Sequence, residues 1–304
     1  MKDKSDIKHY SSISQLTREL GLPVPAHPLV ALVDYANVSK SLFETEFKVS
    51  LDFYKISFKN SFTGQVKYGQ GHYDFDQGGM AFLKPGQLVI ASTDKSSYEG
   101  FVLYFHPDFI RNYSLGTAIN QYGFFSYDVS EALFLSAGEK ETITRLFDQI
   151  GDELKNNIDH FSQDILVSHI ELLLNYSNRF YNRQFITRKA VNHEVTVSLD
   201  KLLNRYFENG WGLKDGIPSV HYISSELHIS QRYLSDLLRS LTGQNTQQYV
   251  QHYVIDISKD LLSGSSLSVT EIAYYLGFGH PQSFSKLFKI KTDLTPLAFR
   301  QSFN

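Results

Sequence analysis

The sequence predicts an α+β chain. A small N-terminal β-barrel with two following helices leads into an all-α C-terminal domain, in which two helix-turn-helix units are joined by a linker helix. Three observations carry this. Aromatic-rich runs with partial period-two alternation occupy residues 28–105. From about residue 138 the apolar residues recur at helical spacing. The last third of the chain repeats itself at an offset of 49, then 50, residues.

At 304 residues the chain has room for about two domains. It is 42% hydrophobic and 20% charged, which supports a buried core and excludes broad disorder. There is no cysteine, so disulfides, iron–sulfur clusters, cysteine-ligated zinc and thiol nucleophiles are excluded. No stretch approaches the ~20 apolar residues of a membrane-spanning helix, and the first ten residues lack an apolar signal core. The expected location is cytoplasmic, with no membrane partner. The net charge is −3 overall, split as −4 over residues 1–195 and +1 over residues 196–304. That permits a local basic face near the C-terminus without demanding one.

Each element has its own signal. Residues 13–20 read as a short helix followed by a turn rich in proline. Residues 51–58 alternate as a strand. Met80-Ala81-Phe82-Leu83 and Leu88-Val89-Ile90-Ala91 flank Lys84-Pro85-Gly86-Gln87, a turn with proline and glycine where turns favour them. Residues 100–105 form another buried strand. Ile143, Leu146, Phe147 and Ile150 mark a helix over about 138–156, and Ile165, Leu172, Leu173 and Tyr176 mark one over about 161–183. Residues 184–196 are polar and mixed and read as a linker. The expected domains are therefore 1–183 and 197–304.

In the repeat, Val220, Ile223, Ser224 and Leu227 recur as Val269, Ile272, Ala273 and Leu276. Leu234, Leu237, Leu238 and Arg239 then match Phe284, Leu287, Phe288 and Lys289. Small Ser224 and Ala273 let paired helices approach. Ser230 suits an N-cap and Pro281 a first helical turn. Leu234, Leu237, Leu238 and Leu241 are expected to bury one face of the first copy's second helix, leaving Gln231, Arg232, Ser235 and Arg239 outside. In the second copy Phe284, Leu287 and Phe288 go inward, while Gln282, Ser283, Ser285, Lys286 and Lys289 point out. Such side chains suit the major groove: Arg or Lys for guanine, Gln for adenine, hydroxyls for base or phosphate. His280, at the helix start, is a further phosphate candidate. Val250, Val254, Ile257 and Leu261 form an apolar stripe on the connecting helix. That helix would hold the two outward helices about one DNA turn, roughly 34 Å, apart.

The stretch Ile272-Ala273-Tyr274-Tyr275-Leu276-Gly277-Phe278-Gly279-His280-Pro281-Gln282-Ser283-Phe284-Ser285-Lys286-Leu287-Phe288-Lys289, closing with Thr295-Pro296 and Phe299-Arg300, resembles the signature of the AraC/XylS-type (arabinose-regulator family) transcription regulators. The resemblance covers about residues 197–303. It implies sequence-specific binding to double-stranded promoter DNA and control of transcription, more often activation, with RNA polymerase as a further partner. It also implies an N-terminal domain that senses a signal or dimerises. Three positions depart from the family pattern: Asp293 replaces a usual glycine, Val254 a common arginine and Asp236 a frequent basic residue. An acid at 236 would repel phosphate.

The N-terminal layout resembles the cupin-like sensing half of that family. Aromatic Phe53, Tyr54, Phe58, Tyr73, Phe82 and Tyr104 are candidates to line a small-molecule effector pocket; equally, they would fill the barrel as a plug. A metal-binding cupin needs a His-x-His pair with a later Glu and His, but Gly71-His72-Tyr73-Asp74 offers one histidine. No metal or cofactor is expected. There is no nucleophile elbow, P-loop or dinucleotide fingerprint, so the reading is not an enzyme. The two helices after the barrel correspond in position to the family's dimerisation helices, which makes a homodimer the expected state. A cupin-type metalloenzyme and a helical interaction module without DNA binding are the alternatives.

Overall fold

The structure, a computed structural model, describes residues 7–38, 47–62, 65–68, 71–74, 78–91, 98–156 and 159–302. Contacts divide the chain into two compact units, Met1–Gln184 and Phe185–Asn304.

The first unit opens with strand β1 (Ile7–Tyr10) and helix α1 (Ile13–Glu19), which Ser12 caps by accepting from the Gln15 amide. Strands β2 (Val30–Asp34), β3 (Phe47–Leu51), β4 (Tyr54–Phe62), β5 (Gln65–Tyr68), β6 (Gly71–Asp74), β7 (Gly79–Leu83), β8 (Val89–Ala91) and β9 (Tyr98–Phe105) follow. Short helices α2 (Pro107–Ile110) and α3 (Ser114–Ala118) lead to β10 (Leu133–Phe134), and then to long helices α4 (Ala137–Lys155) and α5 (Ser162–Thr187). One sheet runs β10-β7-β4-β9-β2, antiparallel throughout. A second runs β1-β3-β8, with β1 parallel to β3. The strand expected over 51–58 is split by a bend at Asp52-Phe53. The Lys84–Gln87 turn forms as expected, with Gly86 at φ 76°.

Pleating sorts β4 onto two faces. Tyr54, Ile56 and Phe58 share one face with Leu103, Phe105, Met80 and Phe82 of the neighbouring strands. That face is covered by helices: Phe147 of α4 stacks on Phe58 and Phe101 with ring centroids 5.6 and 5.7 Å apart. Full burial of one such ring contributes about 1.5–3 kcal/mol. The opposite face carries Ala31, Val33, Lys55, Ser57, Ala81, Val102 and Tyr104. It shares a core with α1 and the second sheet through Tyr10, Ile13, Leu16, Leu51 and Phe53. This is the inside of the barrel.

The second unit continues with α6 (Lys189–Glu208), α7 (Trp211–Asp215), α8 (Val220–Leu227), α9 (Gln231–Thr242), α10 (Thr246–Gly264), α11 (Val269–Tyr275), α12 (Pro281–Thr292) and α13 (Pro296–Gln301). The stretch 184–196, read as a linker, is helical on both sides of Arg188. It contains neither glycine nor proline. Its polar Gln184 and Asn192 are buried and hydrogen-bonded, Gln184 accepting from the Phe134 amide and Asn192 donating to the Phe185 carbonyl. At these two positions polarity marks a satisfied interior side chain, while Ile186, Thr187, Arg188, His193 and Glu194 are exposed.

The sequence repeat is a repeat of caps as well as cores. Ser219 and Ser268 cap α8 and α11; Asn245 and Thr295 cap α10 and α13. The first helix of each copy ends in a left-handed residue, His228 at φ 56° and Gly277 at φ 89°. Ile229 and Phe278 then donate back to Ser224 and Ala273 at 3.1 and 3.0 Å. Only glycine fits the second position, because a Cβ on Gly277 would lie 2.5 Å from the Gly216 carbonyl carbon. The second helices end in Gly243 and Asp293, at φ 75° and 60°. One core runs through both copies and α10. Two expectations shift. Leu241 is 40% exposed rather than inward, and α10 buries Ile255 and Leu262 while Ile257 and Leu261 lie at the margin. A helix packed between two units needs a wider apolar arc than a single stripe.

Candidate nucleic-acid interface

The second helix of each copy, α9 and α12, presents one polar face to solvent. On α12 the buried side is Phe284 and Phe288, with Leu287 partly covered. Gln282, Ser283, Lys286 and Lys289 are exposed, and Ser285 is half-buried at the edge. Lys286 sits at the centre of the exposed arc. Ile290 shares that arc and is 65% exposed, an apolar neighbour that periodicity alone assigned to neither side. Pro281 occupies the first turn and His280 is the N-cap. His280 accepts from the Ser283 amide through its carbonyl at 3.0 Å, leaving its exposed ring uninvolved in the cap.

On α9 Tyr233, Leu234, Leu237 and Leu238 are buried, while Gln231, Arg232 and Arg239 are exposed and Ser235 is half-buried. The repeat offset places Asp236 at the position Lys286 holds on α12. Asp236 bridges both arginines: its Oδ2 accepts from Arg232 Nε and its Oδ1 from Arg239 Nη1, each at 2.9 Å. Its side chain is 16% exposed, against 44% and 54% for the arginines. The acid therefore splays two guanidinium groups to either side of the helix face, and the trio carries one net positive charge. The spacing Arg-x₃-Asp-x₂-Arg was the available signal for this. Gln231 is within 3.3 Å of His221 Nδ1 on α8.

Behind this surface, His252 of α10 lies 2.8 Å from Lys291 Nζ through Nε2 and 2.6 Å from Gln244 Nε2 through Nδ1. Burial, then the Lys291 charge, pushes the imidazole below its ordinary pKa. A neutral ring accepts from the ammonium at Nε2 and fixes the end of α12 to the linker helix. Sequence reasoning missed this node, because a lone histidine on a helix carries no pattern.

Two family models match the chain: a helix-turn-helix domain over residues 223–302 and an AraC-like ligand binding domain over residues 52–172. Together they span about two thirds of the chain. The chain belongs to the AraC/XylS type of regulator. The two matched models describe a helix-turn-helix domain and a ligand-binding domain of that type. A relative, the uncharacterized HTH-type transcriptional regulator YfiF of Bacillus subtilis, is 29% identical over 150 residues, 49% of this chain and 44% of its own length. The HTH-type transcriptional activator RhaS of Citrobacter koseri is 37% identical over 79 residues, 26% of this chain and 28% of its own. This chain spans less than half the length of the curated relatives it matches. The C-terminal domain of the two-component response regulator yesN from Fusobacterium nucleatum is 27% identical, covering 33% of this chain and 96% of its own, at a TM-score of 0.29.

In this AraC/XylS-type regulator the effector residues expected from sequence separate. Phe53 and Tyr104 meet inside the barrel, edge to face at 5.7 Å. Tyr54, Phe58 and Phe82 lie on the outer face of the sheet, where Tyr54 stacks on Phe105 at 4.9 Å and Phe82 packs on Phe124 at 4.4 Å. They fill the seam under the helices and do not line the lumen. Tyr73 and His72 stand on β6, and their side chains lie outside the described residues. Inside, the inner-face residues are shorter and more polar. Ser57 Oγ is 2.9 Å from the Tyr35 hydroxyl, and Lys55 stands between Tyr104 and Leu83 on the adjacent strands. Burial pushes the Lys55 ammonium down to about 8 and the Tyr104 phenol upward. A separate groove of about 800 Å³ lies between residues 21–26, β2 and α4, lined by Leu22, Val24, Asp34, Asp148 and Lys155 among others. Among the described residues no group of three or more His, Asp or Glu could hold a metal ion, and no helix is long and apolar enough to cross a membrane.

Proposed function

We propose that the chain activates transcription as a homodimer, reading promoter DNA through α9 and α12 and responding to a small effector inside the N-terminal barrel. The observation that carries this is the repeated helix-turn-helix with matched caps and two outward polar faces, Arg232-Asp236-Arg239 and Gln282-Lys286-Lys289. Residues 1–183 form the sensing domain of this reading and 197–304 its DNA-binding domain. Activation draws support from the relatives named as activators, and it makes RNA polymerase a partner. The contacts assigned to DNA are Gln231, Arg232, Ser235, Arg239, His280, Gln282, Ser283, Ser285, Lys286 and Lys289.

Dimerisation draws support from α5. Its buried row, Ile170, Leu173 and Leu174, is used within the unit, yet Ile165 and Leu172 are exposed at 41% and 43%, and Phe161 ahead of the helix at 56%. A second copy of α5 is the occupant of stated chemistry for such a row. The apolar stripe of α4, by contrast, is spent on the sheet.

The test is recovery of genomic fragments by the purified protein at two salt concentrations. A shared motif spanning two successive major grooves is the expected result. Lys286→Ala and Arg232→Ala each weaken binding to that motif by about 1–3 kcal/mol where they reach a base. Operator affinity unchanged in both variants would remove the contact assignment.

A further inference from the structure

We propose that Lys55 is the ligand-recognising cation of the effector-binding domain, and that the ligand class is a small organic carboxylate with an apolar body. The inference deepens the effector reading above and rests on it.

The argument begins with β4, the middle strand of the five-stranded sheet. Its pleat sends Lys55, Ser57 and Lys59 to the inner face. The inner-face positions of the neighbouring strands are Ala31, Val33, Gly79, Ala81, Leu83, Gly100, Val102 and Tyr104. Among these described positions there are two lysines and no carboxylate. Lys59 is buried and already engaged elsewhere in the fold. For the Lys55 ammonium there is no hydrogen bond or ion pair among the described residues. The side chain is half-buried, and the strands around it strip enough water to lower its pKa to about 8. At neutral pH it is still mostly charged. A cation held in partial desolvation without an anion is unfavourable, and a ligand that brings the anion removes the penalty.

The surroundings narrow the ligand class. The flanking inner positions carry alanine, serine and glycine beside Tyr104. Phe53, Leu83, Val102 and Tyr104 supply apolar wall. One unpaired ammonium balances one negative charge, so a carboxylate fits, whereas a phosphate dianion would be left under-compensated. The Ser57 and Tyr35 hydroxyls, 2.9 Å apart, add polar groups on the same inner face.

The experiment is calorimetric titration of the full chain with octanoate and with 1-octanol, matched in chain length and differing in charge. It is repeated on Lys55→Met and Lys55→Arg. Octanoate is expected to bind at least tenfold more tightly than octanol. Lys55→Met should abolish that preference while keeping the circular dichroism and thermal midpoint of a folded protein, and Lys55→Arg should restore it in part. In parallel, octanoate should protect Lys55 from reductive methylation, read by peptide mass spectrometry, while octanol should not. Equal affinity for the two probes would overturn the anionic class yet leave the effector reading standing. Octanoate preference retained in Lys55→Met would place the binding elsewhere and overturn the assignment. Absence of binding by octanoate would overturn the proposal. A thermal shift with neutral sugars in that case would show the barrel to be an effector site of another class, and no shift with either series would count against the effector reading itself.

Discussion

Asp236→Asn tests the role of the acid on α9 with almost no change of shape. Asparagine keeps the side-chain outline but withdraws the charge that binds Arg232 and Arg239 at 2.9 Å each. These are two pairs within one helix at i,i+4 and i,i+3 spacing, each worth about 0.2–0.5 kcal/mol. The stability loss should therefore stay below about 1 kcal/mol, too small to unfold the unit. The charge of the trio rises from +1 to +2, and both guanidinium groups become available to phosphate. Each additional phosphate neutralised steepens the dependence of log K on log salt by about 0.9. Between 50 and 200 mM salt, that adds a factor of about 3.5 to the loss of affinity. The assay is fluorescence anisotropy with a labelled mixed-sequence duplex of about 30 base pairs, at three salt concentrations, for wild type and variant. Non-specific affinity should rise at low salt and the slope should steepen. An unchanged slope in Asp236→Asn, beside a clear loss in Lys286→Ala, would mean that α9 does not face the duplex. The role given to Arg232 and Arg239 would then be wrong.

Other substitutions probe the frame that holds these helices. Gly277→Ala should cost about 3 kcal/mol or more by chemical denaturation, because its Cβ would meet backbone atoms of Gly216 and Ile217 at 2.5 and 2.7 Å and because φ is 89°. A loss below about 1 kcal/mol would show that the opposing loop yields. Asp293→Gly should stabilise by about 0.5–1 kcal/mol, since it relieves a left-handed non-glycine residue and removes an acid from the C-terminal end of α12; a lowered thermal midpoint would contradict this. His252 has a folded pKa below its ordinary value, so the unfolded chain binds the proton more readily and stability falls as pH drops below about 6.5. Lys291 and Lys259 work against the charged ring and Asp256 favours it. His252→Gln should flatten the thermal midpoint between pH 7 and 5, and an unaltered pH profile would refute the node.

Much of the fold was legible, for a reason that can be named. The two copies share caps and left-handed ends as well as apolar residues, so Ser219 and Ser268, or Gly243 and Asp293, mark boundaries at fixed offset. The outward faces of α9 and α12 followed from period alone. The barrel was legible as strands but not as an inside and an outside. Tyr54-Lys55-Ile56-Ser57-Phe58-Lys59 alternates cleanly, yet alternation does not say which side is the lumen. The rule that apolar residues go inward selected Tyr54, Phe58 and Phe82. In the molecule their partner is the helical layer, with Phe147, Phe124 and Tyr181. The polar half of the alternation is the inner face, and Lys55 stands on it. Residues 184–196, read as a linker, are helical on both sides of Arg188, and within them Gln184 and Asn192 are polar side chains bonded in the interior.

Asp236 shows the opposite case, where a departure from pattern was visible but its meaning was not. Read alone, an acid on a DNA-facing helix is a defect. Read with its two arginines, it sets their positions and lowers the charge of one face relative to the other. Equivalent positions then run Arg232, Asp236, Arg239 on the first copy and Gln282, Lys286, Lys289 on the second. The first face concentrates directional guanidinium donors around an acid that can itself accept from cytosine. The second places a lone ammonium at its centre beside the apolar Ile290, which suits contact with a thymine methyl. A duplicated motif that kept both faces alike would bind two copies of one half-site. These two faces differ in charge and in donor geometry, so the site they read should be asymmetric within each protomer. In the homodimer proposed above, the symmetry of the whole operator would then come only from pairing of protomers.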